Sequence, residues 1–286
     1  MLKTRGRETC RTPRVIFVIL FVLAGGRAFA QEIIANDHFI LRLNSSGIAS
    51  LKNARNQEDV EFIRDGGTLG HVRVRYRMEE GPWLDFKTES LSDRRTINLA
   101  AGAAAPQILM VYNGSGWYDY DAELELTERF RLDGDALIWT LHFRNVTDKP
   151  VEIAEFALPL SFDVRDGGGG IVMDAKIAEM GSRISWTPAD RKGQVLILTS
   201  LDSCPLYEPA QHERNFKKAG LEEIRTENGV PVVYVHSGGK TAPGGKISAE
   251  APPTHMRLLL TPKFTPGDEI TYAFEFRWTG LSPTAR

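Results

Sequence analysis

Hydrophobic residues occupy almost every second position along two runs in the middle of the chain, residues 124–132 and 137–143. Polar or charged residues fill most of the positions between them. This period of two is typical of a β-strand with one face buried and the other in solvent. Asp133, Gly134 and Asp135 separate the runs, and these residue types favour tight turns. The pattern therefore predicts two antiparallel strands joined by a short turn.

A third apolar run follows a second turn and changes phase part-way along its length. The apolar residues of 151–153 have one parity, and those of 156–162 have the other. One extra residue in a strand produces such a shift, because two residues then face one on the partner strand. The sequence therefore predicts a β-bulge near Ala154 and Glu155. Residues 122–163 together form a predicted three-stranded meander.

The rest of the chain also consists mostly of predicted strands. They fall at residues 39–43, 48–52, 72–78, 108–112, 171–173, 194–200, 230–236, 256–261 and 270–278. Turn signals separate the strands, which is typical of an antiparallel sandwich or barrel. Residues 211–224 are the one predicted helix. We expect an all-β protein in which residues 31–286 form a single, large antiparallel β-sandwich domain.

The first thirty residues have the pattern of a secretory signal peptide. Basic residues precede an unbroken apolar run, residues 15–23, and small residues lead up to Gln31. The apolar run is shorter than the ~20 residues that cross a bilayer. An uncut N-terminal anchor is the alternative. We expect cleavage after residue 30, export to the periplasm or the extracellular space, and no membrane contact after cleavage.

Charge and cysteine content narrow the choice of partners. The whole chain has a formal net charge of −2 at pH 7, and loss of the basic N-terminus leaves a more negative mature protein. This balance argues against nucleic acid as a partner. Cys204 is the one cysteine after residue 30, so the mature chain has no internal disulfide. Its apolar surroundings favour a buried thiol over a reactive one.

The central meander resembles that of galactose-mutarotase-like β-supersandwich domains. The similarity rests on residues 126–139 and 143–150, which read LTERFRLDGDALIW and FRNVTDKP. Residues 39–52 and 261–278 are similar to the opening and closing strands of the sandwich modules attached to α/α-toroid glycosidases. The resemblance implies a large antiparallel β-supersandwich. Its motifs are turns and core aromatic residues, so they concern fold more than activity.

One departure from the family pattern bears on catalysis. Aldose epimerases carry an Asn-His pair near this strand, with the histidine as general acid, whereas residues 155–163 contain no histidine. An apolar side chain cannot deliver a proton to a ring oxygen. No α/α-toroid pattern follows the last predicted strand. The resemblance therefore implies a sandwich module whose catalytic partner, where one exists, is a separate chain.

A glycine-rich loop before the central meander carries three candidate carbohydrate-binding aromatics, Trp117, Tyr118 and Tyr120. Aromatic faces stack on the C–H faces of pyranose rings, and neighbouring carboxylates accept hydrogen bonds from hydroxyl groups. The same rings could instead close one end of the sandwich.

The sequence offers little support for a metal site. Asp119, Asp121 and Glu123 alternate in the same loop, and calcium takes such oxygen ligands. A solvent-facing acidic edge explains their spacing more simply. The histidines are scattered without zinc-ligand spacing. We therefore expect no metal and no cofactor.

Three further polar residues complete the candidate carbohydrate-binding set. Glu128 shares the parity of its apolar neighbours, where a carboxylate is costly unless it is paired or lines a cleft. An ion pair with an arginine, or a position at a strand end, would also explain it. His212 and Arg214, in the loop after Tyr207, are the other polar residues that we expect near a cleft. No catalytic residue can be named, because a carboxylate pair is recognised by its separation in space.

Three arginines, Arg73, Arg75 and Arg77, alternate with apolar residues on one predicted strand. Such a stripe could hold an anionic ligand. A solvated strand face explains the pattern more simply.

Three functions fit these observations. The leading one is an exported carbohydrate-binding or accessory protein, linked to polysaccharide breakdown and without catalysis of its own. The second is a carbohydrate-active enzyme, a glycosidase, lyase or divergent epimerase, that uses Glu128, His212 or another carboxylate. The third is a structural module that docks another exported protein, for which a large exposed apolar patch would be the sign. A carbohydrate or polysaccharide is the expected partner.

Overall fold

The structure is a computed structural model that describes most of residues 32–279. The described residues are 32–56, 59–90, 95–100, 105–112, 124–164, 171–176, 183–188, 194–201, 203–206, 216–219, 223–237, 241–242, 246–247 and 263–279. The predicted signal peptide and the predicted strand at 256–261 lie outside them.

Nearly all of the described chain is β-strand, numbered in chain order. The strands are β1 (Glu32–Ala35), β2 (Phe39–Asn44), β3 (Gly47–Asn53), β4 (Arg73–Met78), β5 (Leu84–Lys87), β6 (Arg95–Ala100), β7 (Gln107–Tyr112), β8 (Leu124–Asp133), β9 (Ala136–Asn145), β10 (Val151–Pro159), β11 (Ile171–Lys176), β12 (Arg183–Pro188), β13 (Val195–Ser200), β14 (Ser203–Leu206), β15 (Phe216–Ala219), β16 (Glu223–Glu227), β17 (Val230–Ser237), β18 (Thr241–Ala242), β19 (Lys246–Ile247), β20 (Lys263–Phe264) and β21 (Glu269–Thr279). A 3₁₀ turn, Thr88–Ser90, follows β5.

Two sheets contain most of these strands. The larger has eight strands in the order β11-β12-β13-β21-β9-β8-β7-β6. The smaller has six, in the order β16-β17-β10-β4-β5 with β20 beside β10. β1, β2 and β3 form a third sheet, and β14–β15 and β18–β19 form two-stranded pairs. All pairings between the described strands of the two larger sheets are antiparallel, as short connecting turns require.

The two larger sheets share one hydrophobic core, which the alternating residues create. Phe143 of β9 meets Phe156 of β10 edge to face, with ring centroids 5.2 Å apart. The ring centroid of Phe156 also lies 4.8 Å from that of Tyr272 on β21. Each fully buried ring contributes about 1.5–3 kcal/mol of hydrophobic stabilisation. The predicted large antiparallel sandwich is confirmed.

The phase change in β10 corresponds to a bulge, as predicted. Against β4, the register shifts between Ile153 and Glu155. Against β17, it shifts again between Phe156 and Ala157. Bulges re-aim side chains, and this one moves Glu155 to the side of the sheet opposite the buried Phe156.

The predicted tight turns are also present. Gly134 has φ of 58° between β8 and β9, and Gly47, the first residue of β3, has φ of 137°. Asn145 organises the turn before β10, because its Nδ2 donates to the Lys149 carbonyl at 2.8 Å and its Oδ1 accepts from Thr147 N at 3.0 Å. These positions are ones where glycine and asparagine suit the backbone.

The predicted helix at 211–224 is wrong. The described residues of that segment belong to strands β15 and β16. Asn228 and Gly229 both have positive φ and join β16 to β17 in a two-residue hairpin. Asn-Gly is the strongest short hairpin signal. Among the residues that the structure describes, no helix has the length and apolar character needed to cross a membrane.

Candidate functional site

The face of the smaller sheet that points away from the shared core carries several arginines and carboxylates in contact with one another. Arg73, Arg75 and Arg77 project there from β4, while Val74 and Tyr76 between them are buried in the core. We call this surface the arginine face. It therefore comes from strict alternation along one strand.

Carboxylates hold the two outer arginines of the arginine face. Arg73 Nη2 lies 2.8 Å from Glu89, and its Nη1 lies 3.0 Å from Glu227. Arg77 Nη2 lies 2.6 Å from Glu152, and its guanidinium covers the Trp83 ring at 4.6 Å. These contacts fix both guanidinium groups in place.

The central arginine has a different environment. Arg75 is the cross-strand neighbour of Glu155 on β10 and of Asp85 on β5. No carboxylate of the described residues lies within 4.0 Å of its guanidinium. Arg75 and Glu155 therefore stand next to each other without a direct ion pair, although they interact electrostatically.

Burial changes the acidity of Glu155. Desolvation is the largest effect and raises the pKa of this carboxyl group. Arg225 and Arg75 oppose the rise, while Glu227 and Asp85 add to it. Glu155 consequently holds a proton more tightly than an exposed glutamate does. A half-buried carboxyl group with a perturbed pKa beside several charges is typical of functional sites.

Tyr234 of β17 interacts electrostatically with Glu155. Its hydroxyl donates a hydrogen bond to Glu227, and the Arg225 guanidinium lies 4.3 Å from its ring centroid. Burial and this hydrogen bond raise the pKa of Tyr234. Together with Ala157 and Val232, Tyr234 forms a small buried cluster separate from the main core. The arginine face is therefore partly buried.

A second polar cluster lies on the outer face of the larger sheet. His142 Nδ1 lies 3.0 Å from Thr271 Oγ1, and its Nε2 lies 3.5 Å from Glu269. Arg144 lies 3.7 Å from Glu269. These side chains are about half exposed, so their ion pairs contribute little. The arginine face is the better candidate because its groups are more buried and more tightly held.

Most of the predicted site residues cannot be compared with this geometry. Trp117, Tyr118, Tyr120, His212 and Arg214 lie outside the described residues. They stay predictions.

Glu128, the sixth predicted site residue, is fully buried in the shared core. Its Oε2 accepts a hydrogen bond from Trp139 Nε1 at 3.0 Å. The inward direction expected from its parity is therefore observed, and the Trp139 indole is one of its partners. Its role in sugar binding stays a prediction.

The apolar pattern of the sequence indicates the outward position of Glu155, although the residue type alone does not mark it as a site residue. The phase change at Ala154 and Glu155 moves a carboxylate to the side of the strand that faces solvent. Combined with the arginine stripe of β4, that shift brings Glu155 beside Arg75. Within the described ranges, no group of His, Cys, Asp and Glu side chains is arranged to hold a metal ion.

No protein-family model matches the sequence, and no curated protein matches it significantly. Among solved structures, a polysaccharide lyase superposes with a TM-score of 0.53 at 10% identity, over 84% of this chain and 32% of the lyase. This chain thus spans about a third of that lyase. A galactose mutarotase related enzyme from Lactobacillus acidophilus (TM-score 0.47, 10% identity, 90% and 99% of the two chains) also matches. So does a galactose mutarotase-like protein from Lactobacillus casei (TM-score 0.48, 9% identity, 87% and 100%).

These likenesses concern the fold alone, because the identities are so low. The likeness to the polysaccharide lyase supports the large antiparallel β-sandwich as the fold of this chain, in keeping with the galactose-mutarotase-like resemblance of its sequence. A fold of this kind does not by itself carry an activity.

Proposed function

We propose that this protein is an exported carbohydrate-binding protein that accompanies polysaccharide breakdown without catalysis of its own. The observation that carries the proposal is the pair formed by Arg75 and Glu155 on the arginine face. A guanidinium group donates and a carboxyl group accepts, so adjacent sugar hydroxyls find both partners at one place. The fold shared with a polysaccharide lyase supports this choice of ligand class.

Two aromatic surfaces would supply apolar contact to the sugar. Trp83 lies beside Arg77 at one end of the arginine face and is partly exposed. Trp117, Tyr118 and Tyr120 are the aromatics expected to stack on pyranose rings. Export after cleavage at residue 30 and cooperation with a separate catalytic chain belong to the same proposal. Edman sequencing of the secreted protein should begin at Gln31.

Retention on immobilised polysaccharides tests the binding function. The folded protein, verified by circular dichroism, should be retarded on at least one polysaccharide gel or bind at least one glycan on an array. Arg75→Gln should weaken that binding. Arg131→Gln is the matched control, because Arg131 is an exposed arginine of the other sheet, paired with Asp133. A folded protein that binds no glycan would contradict the proposal.

One observation favours an enzyme as the second candidate. Burial raises the pKa of Glu155, and a raised pKa favours the protonated form that a general acid needs. Turnover of a sugar substrate that disappears in Glu155→Gln, with the fold intact, would replace the binding proposal by this one. Loss of turnover in Glu128→Gln alone would instead point to the core carboxylate.

A further inference from the structure

Three guanidinium groups project from β4 on the arginine face, and the central one differs from the outer two in its contacts with carboxylates. Arg73 and Arg77 are engaged by Glu89, Glu227 and Glu152 at 3.0 Å or less. Arg75 between them has no described carboxylate within 4.0 Å. The outer pairs therefore flank one guanidinium group that forms no ion pair with a carboxylate of the described residues.

We infer that the arginine face binds a saccharide that carries a carboxylate group, with that carboxylate seated on Arg75 and the sugar extending along β4 towards Trp83. The inference rests on the proposed carbohydrate-binding function and names the ligand class of that site. A planar carboxylate accepts two parallel hydrogen bonds from a guanidinium group, a geometry that hydroxyl groups of a neutral sugar match less well.

Glu155 opposes an anionic ligand when its carboxyl group is ionised and accommodates that ligand when the carboxyl group is protonated. The charged and titratable groups around it are Arg75 on β4, Asp85 on β5, Arg225 and Glu227 on β16, and Tyr234 on β17. An ionised Glu155 would repel a ligand carboxylate on Arg75, whereas a protonated Glu155 would not and could donate a hydrogen bond to it. Burial already raises the pKa of Glu155, so the proton is held more readily than usual.

This arrangement couples binding to a proton. A second carboxylate beside Glu155 raises the pKa of Glu155 further, because like charges disfavour ionisation. Binding of a uronate therefore takes up a proton on Glu155 as pH falls from neutral towards the titration range of glutamate. Affinity should increase over that range, and a neutral sugar should show no such dependence.

The test compares matched pairs of ligands with the full mature chain. Oligogalacturonate and oligoalginate are titrated by isothermal calorimetry at pH 5 and pH 7, beside the same oligosaccharides after chemical reduction of their carboxyl groups. At least one uronate should bind about tenfold or more tightly than its reduced form, since a hydrogen bond to a charged group is worth that factor. Calorimetry in buffers of different ionisation enthalpy should detect proton uptake.

Two variants and a control assign the effect to residues. Arg75→Gln should lose about tenfold in uronate affinity, with little change for the reduced ligand. Glu155→Gln should still bind uronate but lose the proton uptake and the pH dependence, and it serves as the second variant where Arg75→Gln does not fold. Arg131→Gln should bind as the wild type does.

The outcomes separate this inference from the function on which it rests. Equal binding of uronate and carboxyl-reduced ligands overturns the inference and leaves carbohydrate binding intact. Unchanged uronate affinity in folded Arg75→Gln overturns it as well. Binding of no oligosaccharide, or of no glycan on a broad array, by the folded protein overturns the proposed function itself.

Discussion

Trp139 donates its indole hydrogen to Glu128 across adjacent strands of the larger sheet, at 3.0 Å and with both side chains fully buried. Trp139 also stacks on Phe130, with ring centroids 5.1 Å apart. A buried indole N–H requires an acceptor, and a buried carboxylate requires donors. The pair explains why a glutamate occupies an apolar position of an otherwise regular strand.

Glu128→Ala should therefore destabilise the protein markedly. The change removes the acceptor of the Trp139 N–H and leaves a cavity, so the free energy of unfolding should fall by about 2–4 kcal/mol. Glu128→Gln keeps an acceptor oxygen and should cost less, about 1 kcal/mol. Urea denaturation measures both. Glu125→Ala is the control on the solvent side of β8 and should lie within about 0.5 kcal/mol of wild type; an equal loss in both alanine variants would contradict the prediction.

The raised pKa of Glu155 predicts how stability depends on pH. The folded protein binds this proton more tightly than the unfolded chain does, so the contribution of Glu155 to stability is greatest below the unfolded pKa and is lost as pH rises through the folded pKa. Glu155→Gln removes that loss. The variant should be more stable than wild type at pH 7, and the difference should shrink towards pH 4.

Thermal denaturation at pH 4, 5.5 and 7 checks this dependence. Glu125→Gln is the control, because Glu125 is a partly exposed glutamate on the outer face of the larger sheet. A Glu155→Gln variant less stable than wild type at pH 7 would show that the attraction of Arg75 and Arg225 outweighs desolvation.

Two hairpin glycines should respond differently to substitution. An added Cβ on Gly47 would lie 2.8 Å from the Leu69 carbonyl oxygen, a backbone atom that also accepts from Ile48 N. A Cβ on Gly134 would meet nothing within 4 Å. Gly47→Ala should lower the free energy of unfolding by about 3 kcal/mol, because of backbone strain and loss of the hydrogen bond between Ile48 N and the Leu69 carbonyl. Gly134→Ala should lower it by about 1 kcal/mol. Equal losses in chemical denaturation would contradict the steric argument.

The central meander shows how far alternation along a sequence reaches. The strands around Asp133, Gly134 and Asp135 were predictable because the polarity of each side chain in a half-buried strand indicates whether it faces the core or the solvent. The bulge at Glu155 was predictable for the same reason, since one extra residue reverses which positions of the strand face the core. The described parts of 211–224 form strands although their apolar spacing is loosely helical, and the Asn-Gly turn that follows joins β16 to β17 in a hairpin.

The candidate site was harder to predict for a different reason. Arg75 and Glu155 lie far apart in the sequence, and their proximity depends on the pairing of β4 with β10 and on its register. A single sequence reports which face a side chain occupies, but it does not report which strand lies next to it. The raised pKa of Glu155 follows from burial and from that pairing, so the residue pattern along a single strand does not predict it.

Trp83 and Trp117 provide a test of where the sugar lies. Trp83 is partly exposed beside Arg77, whereas Trp117 is placed by its sequence on the glycine-rich loop. Loss of a stacking ring should weaken binding about tenfold, so Trp83→Ala should reduce affinity for the retained glycan if the arginine face is the site. Val146→Ala, an exposed apolar residue in a turn, is the control and should bind normally. A loss in Trp117→Ala with none in Trp83→Ala would move the site to the loop, and normal binding by both variants would contradict an aromatic contact with the sugar.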